Sequence, residues 1–116
     1  MGYILLIDDN EQDLERIRFF LSVLDYKVKV SNSWEAAKTL FDEDIDCDLV
    51  IGKGEIMQVS GSDITQYIRN SLKPLTPILF IGNTNNIDRN LFSAVLKPSS
   101  FKWQILKDSV ASLLPK

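Results

Sequence analysis

The chain contains no histidine and only one cysteine, Cys47. A disulfide framework is therefore excluded, and so are the nitrogen and sulfur ligand sets that hold zinc or iron, which leaves oxygen-ligand ions such as magnesium as the candidate metals. Lysine and arginine total 13 against 16 acidic residues, for a net charge of −3, and they form no stripe able to track a nucleic-acid backbone. Direct binding of nucleic acid is not expected. Long apolar runs are missing as well: the longest, Tyr3 to Ile7, is far below the roughly 20 residues of a membrane span. No basic segment precedes an apolar signal-like stretch, and Leu6 stands where an N-myristoylation motif wants Ser or Thr. A cytoplasmic location is the expectation. Only five glycines and four prolines punctuate the 116 residues, and no low-complexity segment, internal repeat or interdomain linker divides them. One domain over residues 1–114 is expected, with Pro115 and Lys116 read as the start of a linker to a further domain.

What is present is alternation. Five short runs rich in Ile, Leu and Val, at Tyr3–Ile7, Lys27–Ser31, Leu49–Gly52, Ile78–Ile81 and Ala94–Lys97, have the length and composition of buried strands. Between the first two, Leu14, Ile17, Leu21 and Leu24 recur at helical spacing after the start signal Asp9-Asn10. Asn32 with Glu35 three residues on is a capping-box pattern opening a second helix through Phe41. Ile64, Ile68 and Leu72, after Gly61-Ser62, predict a third, ended before Pro74. A last helix is predicted over 101–114, with Trp103, Leu106, Val110 and Leu113 facing inward. This order predicts an α/β fold: a doubly wound, five-stranded parallel sheet with right-handed crossovers and helices on both faces. The fourth crossover, from Gly82 to Val95, has room for at most two helical turns, around residues 88–93.

In open α/β sheets, functional groups collect beyond the carboxyl ends of the strands. There this sequence delivers Asp8, Asp9 and Asn10 from the first strand, Lys53, Gly54 and Glu55 from the third, Gly82 and Asn83 from the fourth, and Lys97-Pro98 from the fifth. The opening Ile-Leu-Leu-Ile-Asp8-Asp9-Asn10 resembles the first strand and acidic pair of response-regulator receiver domains, and Leu96-Lys97-Pro98 resembles their fifth-strand lysine and cis-proline. The segment from Asp48 to Gly61 aligns to their third strand without gaps, so the resemblance covers essentially the whole chain. It implies a flavodoxin-like sheet of order 2-1-3-4-5 and a role in two-component signalling.

The resemblance also marks departures. Lys53 occupies the phosphoacceptor aspartate's position, Met57 the usual proline's, Gly82 that of a threonine or serine, and Ala94 that of a switching aromatic. The expected site is therefore a degenerate phosphorylation site of Asp8, Asp9, Lys53, Gly82 and Lys97. Asp8 and Asp9 would be the ligands if magnesium bound, but two carboxylates facing two lysines give about zero local charge, so poor magnesium binding and no resident cofactor are expected. An ammonium ~4 Å from a carboxylate gains on the order of 4 kcal/mol of gross attraction before desolvation is subtracted. Lys53 is accordingly expected to bridge to Asp8 or Asp9 as a built-in cation.

No catalysis is expected. The Asp-x-Asp of aspartate-based phosphatases is missing, because Asp8 is followed by Asp9 and Asn10, and no phosphate-cradling glycine loop or nucleophile elbow occurs. The function expected is phosphorylation-independent regulation through protein contacts, by self-association or by packing on an attached output domain. A conventional receiver phosphorylated on Asp8 or Asp9, or a stand-alone adaptor, are the alternatives. The opening strand, the degenerate third strand and Pro77-Ile78-Leu79-Phe80-Ile81-Gly82 also resemble the amino-terminal domains of flagellar sigma-54-dependent activators, which implies an attached ATPase, a DNA-binding part and a role in transcription. Phe19, which cannot share an inward face with Phe20, Trp103, and residues 85–90 are the candidate contact surface. Lys53→Asp is expected to create a magnesium site, read as a saturable change in Trp or Tyr fluorescence; an unresponsive variant would contradict the built-in-cation reading.

Overall fold

The computed structural model describes residues 2–85 and 87–114. Five parallel strands, β1 (Tyr3–Asp8), β2 (Val28–Ser31), β3 (Cys47–Lys53), β4 (Ile78–Ile81) and β5 (Ala94–Leu96), form one sheet in the order β2-β1-β3-β4-β5. The α-helices are α1 (Glu11–Val23), α2 (Trp34–Glu43), α3 (Glu55–Arg69) and α4 (Trp103–Leu113). The expected fold class and strand order are therefore observed. The expectation of a linker at Pro115-Lys116 lies outside the described residues, as does Asn86 within the expected contact segment.

Period-two alternation divides the core into two layers. Ile4 and Leu6 of β1, Leu49 and Ile51 of β3, and Leu79 and Ile81 of β4 pack against Leu14, Ile17 and Leu21 of α1 and Leu106 and Val110 of α4. Their neighbours Leu5, Ile7, Val50, Ile78 and Phe80 point the other way, onto Ala37 and Phe41 of α2 and Met57, Ile64 and Ile68 of α3. Burial on both faces is why these strands are almost unbroken aliphatic runs, each fully buried side chain contributing about 1.5–3 kcal/mol of transfer free energy. No helix among the described residues is long and apolar enough to cross a membrane.

Several boundaries differ from expectation for local reasons. The cap of α2 is Ser33, whose hydroxyl accepts from the Ala36 N–H at 3.2 Å; Asn32 stands one residue outside. Helix α3 starts seven residues before Ser62, directly after Gly54, and carries Gly61 in its interior. There Gly61 lies against Ile87 and Phe92, so a side chain would collide with the fourth crossover. Leu72 lies beyond the end of this helix and is 84% exposed rather than facing inward. Trp103, expected to face inward, is the first residue of α4 and 41% exposed. Among its described residues the fourth crossover holds one 3-10 turn, Arg89–Leu91, capped by Asp88. No cis peptide bond occurs among the described residues, so Lys97-Pro98 is trans where the resemblance implied cis.

The capping geometry separates two adjacent residues. Ser33→Ala should cost about 1 kcal/mol in urea unfolding, whereas Asn32→Ala, at an exposed position without a cap bond, should stay within about 0.5 kcal/mol; equal losses would refute the assignment of the cap to Ser33.

Candidate functional site at the carboxyl edge of the sheet

The register between β1 and β3 places Asp8 opposite Lys53. Both continue the alternation that carries Ile4, Leu6, Leu49 and Ile51, so both side chains emerge on the α1/α4 face, one step beyond its aliphatic layer. Asp8 is fully buried. Its Oδ1 accepts from the Asn10 N–H at 2.9 Å, while Oδ2 has no hydrogen-bond partner among the described residues. The Lys53 ammonium stands 3.9 Å from that Oδ2. Loss of solvent raises the Asp8 carboxyl above its usual 3.8; the Asn10 hydrogen bond and Lys53 oppose the shift, and the neighbouring Asp13 and Asp9 reinforce it.

The short contact of Lys53 is with a residue the sequence reading did not select. Its Nζ donates to Asp13 Oδ2 at 2.6 Å, with 26% and 33% of the two side chains exposed. Asn10 explains why Asp13 is in reach. Its side chain caps α1 by accepting from the Asp13 N–H at 3.1 Å, which fixes the first turn with Asp13 beside the strand ends. An acid three residues after a cap therefore belongs to the loop edge as much as to the helix, and that was the signal available. The expected bridge to Asp8 exists only as the longer contact, and no ion pair with Asp9 is present among the described residues.

Asp9 lies instead over Gly54. That glycine has φ +89°, and a Cβ there would collide with Asp9 Oδ1 and meet Asp8 Oδ1 at 3.0 Å, so glycine is required both by the backbone and by the two carboxylates. Lys97, expected to face the acidic pair, is exposed and makes no ion pair among the described residues. Gly82 belongs to the opposite face: a Cβ on it would meet the Phe80 ring at 2.6 Å. Phe80 is fully buried and packs against Phe92 with centroids 4.9 Å apart, so the ring cannot readily yield. The space that a hydroxyl-bearing residue at 82 would need is filled by aromatic core. Ala94 is half-buried at the start of β5, against the α1/α4 layer. Phe19 is 65% exposed, and Trp103 packs against Phe20 with the rings tilted at 4.8 Å and meets Phe101 edge-on at 5.2 Å.

These positions correct the charge count. The groups around Lys53 are Asp8, Asp9 and Asp13, so the local sum is about −2 rather than zero. Acidic charge alone would attract a divalent ion, but the donor geometry does not fit one. No three carboxylates converge on a point among the described residues, and the Lys53 ammonium already stands between Asp8 and Asp13. A cation held on Asp8 Oδ2 would face that ammonium at close range. Lys53 therefore meets part of the demand of the buried carboxylate without satisfying it by a hydrogen bond.

The chain resembles solved structures of receiver domains over nearly its whole length. A response regulator receiver domain protein from Clostridium thermocellum superposes with TM-score 0.83 at 22% identity, covering 97% of this chain and 94% of that one. The chemotaxis response regulator CheY4 of Vibrio cholerae gives TM-score 0.81 at 17% identity, covering 98% and 99%. The signal receiver domain of an HD domain-containing protein from Pseudomonas fluorescens gives 0.79 at 23% identity, covering 97% and 86%. No protein-family model and no curated protein matches the sequence. At these identities the shared property is the fold.

Because the folded-state pKa of Asp8 is raised, its stabilising contribution is complete below the ordinary carboxylate value and is lost as pH climbs through the folded value. Asp8→Asn keeps the acceptor for the Asn10 N–H and removes the buried charge. The variant's melting temperature should exceed that of the unmodified chain by more at pH 7 than at pH 4; a difference that is flat or larger at pH 4 would contradict this.

Proposed function

We propose that this chain is a receiver-like regulatory domain that signals through protein contacts without being phosphorylated. The observation that carries this reading is the ammonium of Lys53, held 2.6 Å from Asp13 and 3.9 Å from Asp8 at the strand end. An amine there cannot form the acyl phosphate a carboxylate would, and its charge occupies the ground a divalent ion would need. Asp8 is a poor substitute acceptor because it is completely buried. Phe80 supports the same reading, since its ring fills the side-chain space of Gly82 and leaves no place for a hydroxyl that would follow a phosphoryl group.

With phosphate-driven switching removed, regulation rests on surfaces. Phe19 and Trp103 present apolar area on α1 and α4, and the segment around the Arg89–Leu91 turn replaces a helix that could move. One structural neighbour is the signal receiver domain of an HD domain-containing protein, which supports a place for this fold within a longer chain. For this protein the reading extends to an attached ATPase and DNA-binding output of a sigma-54-dependent activator, regulated by dimerisation or by packing of this domain on its neighbour. On this reading the domain serves signal transduction and transcription regulation, descends from two-component receivers and has no enzymatic activity.

Incubation with a small phosphodonor and magnesium, followed by intact-mass measurement, tests the proposal. An unchanged mass is expected, and a gain of one phosphoryl group would overturn it, with peptide mapping to Asp8 or Asp9 establishing a conventional receiver instead.

A further inference from the structure

Beside the Lys53 cluster, a cavity of about 330 Å³ opens between α1, the ends of β3 and β4, and the segment leading into α4; its lining includes Asp13, Arg16, Lys53, Ile81, Phe101 and Trp103. Its volume lies at the small end of the ~300–1,000 Å³ typical of small-molecule sites, and it sits at the strand edge where ligands of open α/β sheets bind. We infer that this cavity is a binding site for a small aromatic carboxylate, whose occupancy takes the place of phosphorylation as the input to the domain; the inference rests on the phosphorylation-independent reading above.

The chemistry of the walls selects the ligand class. Ile81 is buried at the floor, and Trp103 supplies a flat ring already braced by Phe20 and Phe101, so an aromatic body gains apolar contact without ordering the wall. At the polar side, Arg16 is exposed and has no ion-pair or hydrogen-bond partner among the described residues. Lys53 gives one N–H to Asp13, and with Asp8 Oδ2 at 3.9 Å it retains donor capacity toward the cavity. A carboxylate spanning Arg16 and Lys53 would make charge-assisted hydrogen bonds to both. A cationic ligand would have to compete with the Lys53 ammonium for Asp13, the acid in the lining, whose Oδ2 already holds that ammonium at 2.6 Å. A phosphate monoester carries about −1.5 to −2 charge, and Asp13 and Asp8 close behind Lys53 oppose that second charge. One negative charge on a flat apolar body is what remains. Such a ligand would draw the Lys53 ammonium away from Asp8 and so couple its binding to the buried carboxylate.

The probe is 1-naphthoate, titrated into the ¹⁵N-labelled chain while the two tryptophan indole N–H signals are followed by NMR, Trp34→Phe assigning them. The Trp103 signal is expected to move saturably and the Trp34 signal to stay. Arg16→Gln, at an exposed position, should weaken binding roughly tenfold, the scale of one charge-assisted hydrogen bond, and the neutral 1-naphthalenemethanol, with no charge to offer Arg16 or Lys53, should bind the unmodified chain more weakly than naphthoate binds that variant. No saturable shift at millimolar probe, a shift indifferent to Arg16→Gln, or equal binding of the alcohol would each overturn the inference. Failure of naphthoate to bind with unchanged mass under the phosphodonor removes the ligand site alone; a phosphoryl gain removes both it and the reading beneath it.

Discussion

A carboxylate without solvent is the constraint around which the functional edge of this molecule is built. Asp8 ends the strand that lies between β2 and β3, under α1, and one of its oxygens has no hydrogen-bond partner among the described residues. Ionised and isolated, such a group would be strongly disfavoured; its neighbours moderate that cost in different ways. The Asn10 amide satisfies one oxygen, and the same residue caps α1 through its side chain. Lys53 brings positive charge by virtue of strand register, and Asp13 holds that charge in place. One short loop thus sets the start of a helix, the environment of a buried acid and the position of its counter-ion together.

The division of the sheet into two faces explains why the strand-end residues act as two groups. Even positions of β1 and odd positions of β3 and β4 look toward α1 and α4, and this parity puts Asp8 and Lys53 in one chamber with the cavity bounded by Arg16 and Trp103. The opposite parity puts Gly52 and Gly82 under Met57 and Phe80, in a layer filled by hydrophobic side chains. Five polar or small residues gathered at one edge in the sequence therefore do not make one site. Lys97 is separated from both groups by its exposure.

Strand-length aliphatic runs made the sheet legible from the sequence, because burial on both faces leaves little room for polar residues. Helix α1 was legible through Asn10 and the Leu14-Ile17-Leu21 stripe. The start of α3 was obscured because Gly54 and Gly61 read as loop punctuation, whereas one caps the helix with a positive φ and the other is required by the close approach of Ile87 and Phe92. Asp13 is hidden from pattern reading because it lies inside a helix by sequence, although the first turn brings it to the strand ends. Trp103 fits an inward heptad position but begins its helix, where the core has already thinned, so its ring lies along the surface on Phe20 and Phe101. Trans Lys97-Pro98 and exposed Lys97 are details of backbone path that no spacing pattern encodes.

The pairing of Phe80 with Gly82 also constrains history. A side chain at 82 and a phenylalanine at 80 claim the same volume, so a chain passing between a larger residue at 82 and the present arrangement must shrink position 82 before, or together with, enlarging position 80. In either direction the stepwise route passes through a chain that is small at both positions, with a cavity in a layer sealed by Phe92, an intermediate less stable than either end point. The two positions lock each other: neither can change size first without a void or a collision, so the present packing resists single substitutions at either place.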